Sequence, residues 1–156
     1  MTDEMKKFKA QQAFETLCAS LDKDNWKYGK KDEDFIVYYN ETGDDLTMQC
    51  LIAVDAERQV IRFLSTLPVV LSEDKLVEGA VACCIVNSQV AYGSFDLSVP
   101  EGKLTYRMTY SFKDSIMGKD FYREMRCFAT TVLDKYNDKF VALAEGRLRA
   151  TDFLNM

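Results

Sequence analysis

The order in which helical and strand patterns follow one another constrains this chain more than any single residue. An amphipathic helical pattern lies at each end, and between them alternating segments typical of strands flank one almost wholly apolar helical segment. The predicted order is α-βββ(β)-α-ββ-α. Strands joined by short turns, with few helices between them, indicate an α+β fold with an antiparallel sheet of five to six strands.

The clearest predicted hairpin lies in the second half of the chain. Apolar residues alternate with polar ones without interruption from Leu104 to Phe112, which is the period of a half-buried strand. Pro100-Glu101-Gly102 precedes them, and this combination favours a tight turn. A further alternation over 91–99 predicts the partner strand of the hairpin.

Helical spacing predicts three helices of different character. The first spans about 5–22 and the last about 118–145, and each carries one apolar stripe. The middle segment, 76–86, is apolar nearly all round, so we expect it to be buried on more than one side. Residues 147–156 form a tail that can either dock on the core or fray.

Length and charge limit the class of protein. A chain of 156 residues fits a single domain over 1–156. The net charge of -5 argues against nucleic acid as the main partner, because binding to phosphates requires a basic surface. The N-terminus lacks the apolar region of a signal peptide, and no apolar stretch approaches the ~20 residues that span a membrane. We therefore expect a cytoplasmic protein without a membrane partner.

Cysteine usage fits a reducing compartment. The five cysteines are Cys18, Cys50, Cys83, Cys84 and Cys127, and each lies in an apolar periodic segment. Their number is odd and no C-x-x-C pair occurs, which disfavours a disulfide framework. The expectation is that they are buried thiols that act as small apolar side chains.

The sequence contains no recognisable catalytic constellation. It has no histidine, which removes Ser-His-Asp and Cys-His mechanisms and every metal site that needs an imidazole ligand. The acidic clusters at 32–34 and 41–45 lack calcium-loop spacing and are interpreted as solvated turns. No glycine-rich phosphate loop is present. We therefore predict no catalytic residues, no cofactor and no metal.

Candidate binding residues lie on the predicted outer face of the sheet. Arg107 is in the middle of a strand, opposite the aromatic row, and Thr109 shares its face. Arg62 is expected to join them from an earlier strand. The predicted binding residues on this outer face are Arg62, Leu64, Tyr92, Arg107 and Thr109.

The same outer face contains more apolar residues than a solvated sheet surface requires. Leu51, Ala53, Leu64, Val90 and Tyr92 alternate with residues assigned to the core. Exposed apolar patches on a soluble protein usually mark a site of self-association or of protein binding. The predicted partner is therefore a protein, either a second copy in a homodimer or a segment of another chain.

The stretch from Trp26 to Gly146 resembles the YbjN family of proposed bacterial sensory transduction regulators. Extended to the first helix, this YbjN-like core covers about 5–146. The residues that carry the resemblance are Trp26, Tyr28, Leu67-Pro68, Ser72-Glu73-Asp74, Asn87, Gly93, Phe95, Glu101-Gly102 and Tyr106-Arg107.

This resemblance implies a fold similar to that of type III secretion chaperones. The implied architecture is a twisted antiparallel sheet with helices packed on one face, often in a dimer. The family carries no established catalytic residues, so none is transferred. Residues 147–156 lie outside the resemblance.

Three functional hypotheses remain open at this level. The first is a non-enzymatic cytoplasmic protein-binding module, chaperone-like or regulatory, that acts as a dimer. The second is a sensor with a small-ligand pocket between the sheet and the last helix. The third is an enzyme that works without histidine. The tyrosines that would line the pocket of the second hypothesis are Tyr106, Tyr110, Tyr122 and Tyr136.

Overall fold

The computed structural model describes residues 1–156 and confirms the α+β fold, with four strands before the middle helix. Two short 3-10 segments, Glu73–Lys75 and Ala150–Asn155, accompany the regular elements. These elements are α1 (Asp3–Lys23), β1 (Gly29–Lys31), β2 (Ile36–Thr42), β3 (Thr47–Asp55), β4 (Val60–Val70), α2 (Leu76–Gln89), β5 (Ser94–Ser98), β6 (Lys103–Ser111) and α3 (Lys119–Ala144).

The six strands form one antiparallel sheet in the order β1-β2-β3-β4-β6-β5. Strands β1 to β4 are consecutive neighbours because short turns join them. After β4 the chain passes through α2 and β5 before β6 returns to pair with β4. As a result β1 and β5 are the two edges of the sheet, and β4 lies inside it.

The alternation in the strands sends one set of side chains into the core. In β6, Leu104, Tyr106 and Met108 are buried, as their spacing predicts. The three helices pack against this same face, and no strand residue on the opposite face is buried. The expectation that helices cover one face only is therefore confirmed. The other strand residues of the core are Val37, Tyr39, Met48, Cys50, Ile52, Val54, Ile61, Phe63, Ser65, Leu67 and Phe95.

The two terminal helices follow the predicted stripes. α1 begins after Thr2, whose hydroxyl accepts a hydrogen bond from the Met5 amide and caps the helix. α3 buries one side from Tyr122 to Leu143 against the sheet and α1. In both helices the charged residues lie mainly on the other side, so burial of the stripe orients each helix.

The middle helix differs from its predicted environment. α2 buries Gly79, Ala82, Cys83 and Val86, but its opposite side is exposed to solvent. The prediction that it is buried on more than one side is wrong, because the sheet, α3 and the C-terminal segment together contact only the side that carries these four residues. The 3-10 segment Glu73–Lys75 leads directly into α2, and the Ser72 hydroxyl before it donates to the Asp74 carboxylate.

The C-terminal tail docks on the molecule instead of fraying. Residues Ala150–Asn155 form a 3-10 segment that lies against α2. The Phe153 ring is fully buried, with its centroid 5.2 Å from that of Phe140 in α3. The side-chain amide of Gln89 donates to the Phe153 carbonyl at 3.1 Å, which fixes the tail to the end of α2.

The cysteines do not all occupy the predicted buried positions. Cys50 and Cys83 are buried and Cys18 is partly buried, whereas Cys84 and Cys127 are exposed on α2 and α3. The prediction is wrong for these two because each lies on the solvent side of its helix. None of the helices combines the length and the apolar character needed to cross a membrane.

Candidate interaction surface

The face of the sheet that the helices leave uncovered, which we call the open face, is the candidate functional site. Five of the six strands contribute its main area, and the alternation of the strands decides which side chains point there. Its central side chains are Ile36, Tyr38, Asn40, Gln49, Leu51, Ala53, Arg62, Leu64, Thr66, Ser94, Asp96, Thr105, Arg107 and Thr109.

The strand register places an apolar row at the centre of the open face. Tyr38 in β2 is opposite Leu51 in β3, and Leu51 is in turn opposite Leu64 in β4. The row continues into β6, where Arg107 is opposite Leu64. Directly opposite residues in neighbouring strands have Cβ atoms only about 4.5–5.5 Å apart, so these side chains form one continuous surface.

The neighbouring row combines apolar and polar groups. Ile36 is opposite Ala53, and Ala53 is opposite Arg62. Arg62 is in turn opposite Thr109 in β6. The two rows together give a patch that is apolar over β2 and β3 and becomes polar towards β6.

Four of the five predicted binding residues meet on this surface. Leu64 and Arg107 are partners across β4 and β6, and Arg62 and Thr109 are the next pair along the same two strands. The Arg107 guanidinium also donates to the Thr109 hydroxyl at 3.4 Å. The structure thus brings Arg62, Leu64, Arg107 and Thr109 into one block.

The fifth predicted residue, Tyr92, does not lie on the open face. It belongs to the turn between α2 and β5, and its ring stacks on Phe128 of α3 with centroids 4.4 Å apart. The predicted strand over 91–99 begins only at Ser94, because Gly93 adopts a φ of 73° and turns the chain. Val90, expected on the same face, ends α2 and packs against the core.

The two arginines at the centre of the open face are already paired with aspartates of the same chain. Arg107 Nε donates to Asp96 Oδ2 at 2.7 Å, and Arg62 Nη2 donates to Asp55 Oδ2 at 3.2 Å. Both arginines are partly exposed, so each pair contributes little stability. Their effect is to balance the charge around the apolar row.

Asp55 is the most constrained acid at the rim of this face. Its carboxylate accepts hydrogen bonds from the Arg58 backbone amide at 2.8 Å and from the Arg58 side chain at 3.0 Å. The backbone hydrogen bond, together with the guanidinium groups of Arg58 and Arg62, lowers the pKa of this carboxyl below its ordinary value. Asp55 therefore remains ionised and holds Arg62 in place at neutral pH.

Sequence reasoning missed two apolar residues of the open face. Ile36 and Tyr38 lie in a run of five apolar residues, Phe35 to Tyr39, which hides the alternation. The Tyr38 ring occupies the space that a side chain on Gly29 would need, so the glycine of β1 provides the floor beneath it. Only the pairing of β2 with β3 reveals that both side chains share a face with Leu51.

The tyrosines proposed as a pocket lining are packed into the core or against it. Tyr106, Tyr122 and Tyr136 are buried, and burial raises the pKa of Tyr106 and Tyr122 above the ordinary value. Tyr110 is partly buried beside Phe121. Three of the hydroxyls donate hydrogen bonds within the protein. The Tyr106 hydroxyl donates to the Tyr92 carbonyl, the Tyr122 hydroxyl to the Ala13 carbonyl, and the Tyr136 hydroxyl to the side-chain oxygen of Gln89.

The remaining reactive groups form no evident catalytic arrangement. No group of three or more Cys, Asp or Glu side chains is placed to hold a metal ion. Burial raises the pKa of the Cys50 and Cys83 thiols to about 12, which keeps both protonated near neutral pH. A thiol needs its anionic form to act as a nucleophile, so these two are suited to packing.

Comparisons with known proteins agree on the fold. No family model matches the chain, and no curated protein matches it by sequence. The crystal structure of YbjN from E. coli, a proposed transcription regulator, superposes with a TM-score of 0.57 at 13% identity over 81% of this chain and 92% of that one.

A second solved structure, the HopA1-SchA chaperone-effector complex, gives a TM-score of 0.52 at 13% identity. The match covers 78% of this chain and 91% of that one. At these identities the similarity concerns the fold alone. The resemblance expected from the sequence, to YbjN and to a secretion-chaperone architecture, is thus confirmed at the level of the fold.

Proposed function

We propose that this chain is a single-domain, non-enzymatic protein-binding module of the cytoplasm, chaperone-like or regulatory, whose open face takes up a segment of a partner protein. The observation that carries the proposal is the uncovered apolar row of Tyr38, Leu51 and Leu64 at the centre of a sheet. An apolar patch that no helix covers is suited to the apolar side chains of another protein. Two proteins of similar fold, a proposed regulator and a member of a chaperone-effector complex, support this reading.

The paired charges indicate what the segment looks like. Asp96 and Asp55 already neutralise Arg107 and Arg62, so the two arginines at the centre of the open face are not free to bind an acidic partner. Apolar contact with Leu51 and Leu64 would supply most of the binding energy, and the polar rim would fix orientation. The proposed ligand is therefore an apolar segment and not a strongly acidic one.

Site-specific photocrosslinking tests this proposal. A photoreactive phenylalanine analogue at position 64 should capture a discrete partner in cells that make the protein, and the adduct is then identified by mass. The same analogue at position 12, an exposed site on α1, is the matched control and should capture nothing specific. Absence of an adduct at both position 64 and position 51, in cells where the protein is abundant, would refute the open face as the binding site.

The second part of the proposal is that the protein acts as a homodimer. Apolar side chains are exposed on more than one side of the molecule, on the open face and on α2, which leaves one surface for a partner segment and another for self-association. Native mass spectrometry of the purified chain measures this directly. A dimer over a range of concentrations agrees with the proposal, and a monomer at every concentration contradicts it.

A further inference from the structure

A cleft of about 530 Å³ lies between the first half of α3 and the chain that faces it, and we call it the α3 cleft. Opposite α3, its wall is formed by Asp24 and Trp26, from the connection between α1 and β1, and by Glu41 in β2. Glu41 comes two residues after the buried Tyr39, so it lies on the side of the sheet that the helices cover. The α3 cleft is therefore separate from the open face, and none of the four tyrosines named for the second hypothesis lines it.

The floor of the α3 cleft is a buried guanidinium held against an aromatic ring. The guanidinium carbon of Arg126 lies 5.1 Å from the centroid of the Trp26 ring, and Nη2 donates to Asp24 Oδ2 at 2.6 Å. The Trp26 ring meets the Tyr39 ring edge to face, with centroids 5.9 Å apart. Packing thus fixes both the guanidinium and the ring before any ligand arrives, which lowers the entropic cost of binding. Arg126 makes no hydrogen bond other than that to Asp24, so it retains N–H groups for a carbonyl oxygen of a ligand.

Two further charges of opposite sign line the α3 cleft, and neither has an ion-pair partner. The Glu41 carboxylate accepts a hydrogen bond from the Thr130 hydroxyl at 2.6 Å and forms no ion pair. The Arg123 side chain is exposed and forms neither an ion pair nor a hydrogen bond. The cleft therefore offers one free anion and one free cation, in addition to the pair of Arg126 with Asp24, whose charges cancel.

From these charges we infer that the α3 cleft binds a short peptide of two or three residues whose amino and carboxyl ends are both free. The ammonium group of the peptide would pair with Glu41, and its carboxylate would pair with Arg123. This binding goes beyond the proposed function, because the cleft and the open face lie on different sides of the sheet and can be occupied together.

The spacing of the two free charges sets the length of the ligand. Arg123 and Thr130, which holds Glu41, are seven positions apart in α3, so their Cα atoms are separated by about 10.5 Å along the helix axis. An extended peptide spans at most about 3.3–3.6 Å per residue, so two or three residues cover roughly 7–11 Å and a single amino acid is too short. The cleft volume lies in the usual range for small-ligand sites, about 300–1,000 Å³. The partly exposed Trp26 ring offers apolar contact to a side chain of the peptide.

Tryptophan fluorescence tests this inference directly, because Trp26 is the only tryptophan of the chain. Titration of the purified protein with alanyl-leucyl-alanine should give a saturable change in its emission. The N-acetylated tripeptide and the C-terminal amide should each bind at least about tenfold more weakly, because each loses one charged hydrogen bond. Free leucine should also bind at least about tenfold more weakly, because its two charges are too close together. No change up to about 10 mM tripeptide, or equal binding of the free and both blocked forms, overturns the inference and leaves the proposed function of the open face standing.

Two substitutions assign the ends of the peptide to their partners. Arg123→Gln should abolish the difference in affinity between the free tripeptide and its amide, and Glu41→Gln should abolish the difference between the free and the N-acetylated tripeptide. Glutamine at position 41 can still accept from Thr130, and Arg123 is exposed, so both variants should keep their circular dichroism spectrum. Arg147→Gln, at an exposed arginine outside the cleft, is the matched control and should bind like the unmodified chain. If neither substitution changes the discrimination between free and blocked ends, the assignment of the two charges is overturned.

Thiol protection locates the bound peptide independently of fluorescence. Cys127 lines the α3 cleft and is exposed, whereas the exposed Cys84 lies on α2, outside the cleft. Alanyl-leucyl-alanine at ten times its Kd should slow the reaction of Cys127 with Ellman's reagent roughly tenfold, because only the free protein reacts. The reaction of Cys84 should keep its rate, and the variants Cys84→Ala and Cys127→Ala allow each thiol to be followed alone. A tripeptide that binds without slowing Cys127, or that slows both thiols equally, overturns the α3 cleft as its site.

Discussion

The Arg126 guanidinium donates from Nη2 to Asp24 Oδ2 at 2.6 Å, and this ion pair joins α3 to the end of α1. Arg126 is only 5% exposed, and its guanidinium carbon lies 5.1 Å from the centroid of the Trp26 ring. The carboxylate of Asp24 is more accessible to water than the guanidinium. The arginine thus depends on its partner more than the aspartate does.

This asymmetry predicts unequal effects of the two single substitutions. Asp24→Asn leaves a buried cation without a counter-ion and should reduce the free energy of unfolding by about 2–4 kcal/mol. Arg126→Met leaves a carboxylate that water can reach, so we expect the smaller loss. Urea denaturation of both variants measures the difference, and a larger loss for Arg126→Met would contradict the explanation.

The double variant and a surface pair provide the controls for that comparison. Asp24→Asn combined with Arg126→Met should cost less than the sum of the two single changes, because the buried charge is gone. Removal of the exposed partner in the Arg107–Asp96 pair, by Asp96→Asn, should cost less than about 1 kcal/mol.

The sequence predicted those parts of the fold in which the spacing of apolar residues along the chain reflects which side chains are buried. The alternation from Leu104 to Tyr110 predicted which side of β6 faces the core, and the apolar stripe from Tyr122 to Leu143 predicted which side of α3 is buried. The same alternation placed Arg107 and Thr109 on the outer side. Four of the five candidate residues were therefore identified correctly as neighbours, since strand period decides which face a residue occupies.

Sequence could not predict the features that depend on which elements meet. α2 is apolar all round, so nothing in its composition distinguishes the buried Cys83 from the exposed Cys84. Tyr92 fits an alternating pattern, but Gly93 bends the chain and sends the ring towards Phe128 instead. The ion pair of Arg126 with Asp24 joins residues far apart in sequence, which no local pattern reveals.

The docked tail should contribute to stability through a single aromatic anchor. Phe153→Ala removes a fully buried ring that packs on Phe140 and should lower the free energy of unfolding by about 3–5 kcal/mol. Leu154→Ala is the matched control, because Leu154 is 58% exposed, and it should change stability by no more than about 0.5 kcal/mol. Chemical denaturation of both variants checks this, and equal effects would show that Phe153 does not anchor the tail.

Thiol reactivity should distinguish the exposed cysteines from the buried ones. In the native chain at pH 8, Cys84 and Cys127 should react rapidly with Ellman's reagent, because both side chains are exposed. Cys18 is partly buried and should react more slowly. Cys50 and Cys83 should react only after unfolding, since they are buried and protonated at this pH. Rapid reaction of Cys83 in the native chain would contradict its burial in the fold.

We expect the free energy of unfolding to fall in alkaline solution, because two thiols are buried in the folded chain. Burial raises the pKa of Cys50 and Cys83 to about 12 from an ordinary value near 9. Above pH 9 the unfolded chain loses these protons while the folded chain keeps them, so the free energy of unfolding decreases as pH rises towards 12. Each thiol contributes a slope of at most about 1.4 kcal/mol per pH unit.

The buried tyrosines act in the same direction at slightly higher pH. The pKa values of Tyr39, Tyr106 and Tyr122 are also raised by burial, so the slope should steepen once pH exceeds the ordinary tyrosine value of about 10.

Substitution separates the thiol contribution from the tyrosine contribution. Cys83→Ala should reduce the slope of the free energy of unfolding against pH, between pH 9 and pH 11, by up to the contribution of one thiol. Cys127→Ala should leave this slope unchanged, because Cys127 is exposed. Urea denaturation at a series of pH values measures both slopes. If the two variants show the same slope, the alkaline loss comes from other groups and burial of Cys83 does not control it.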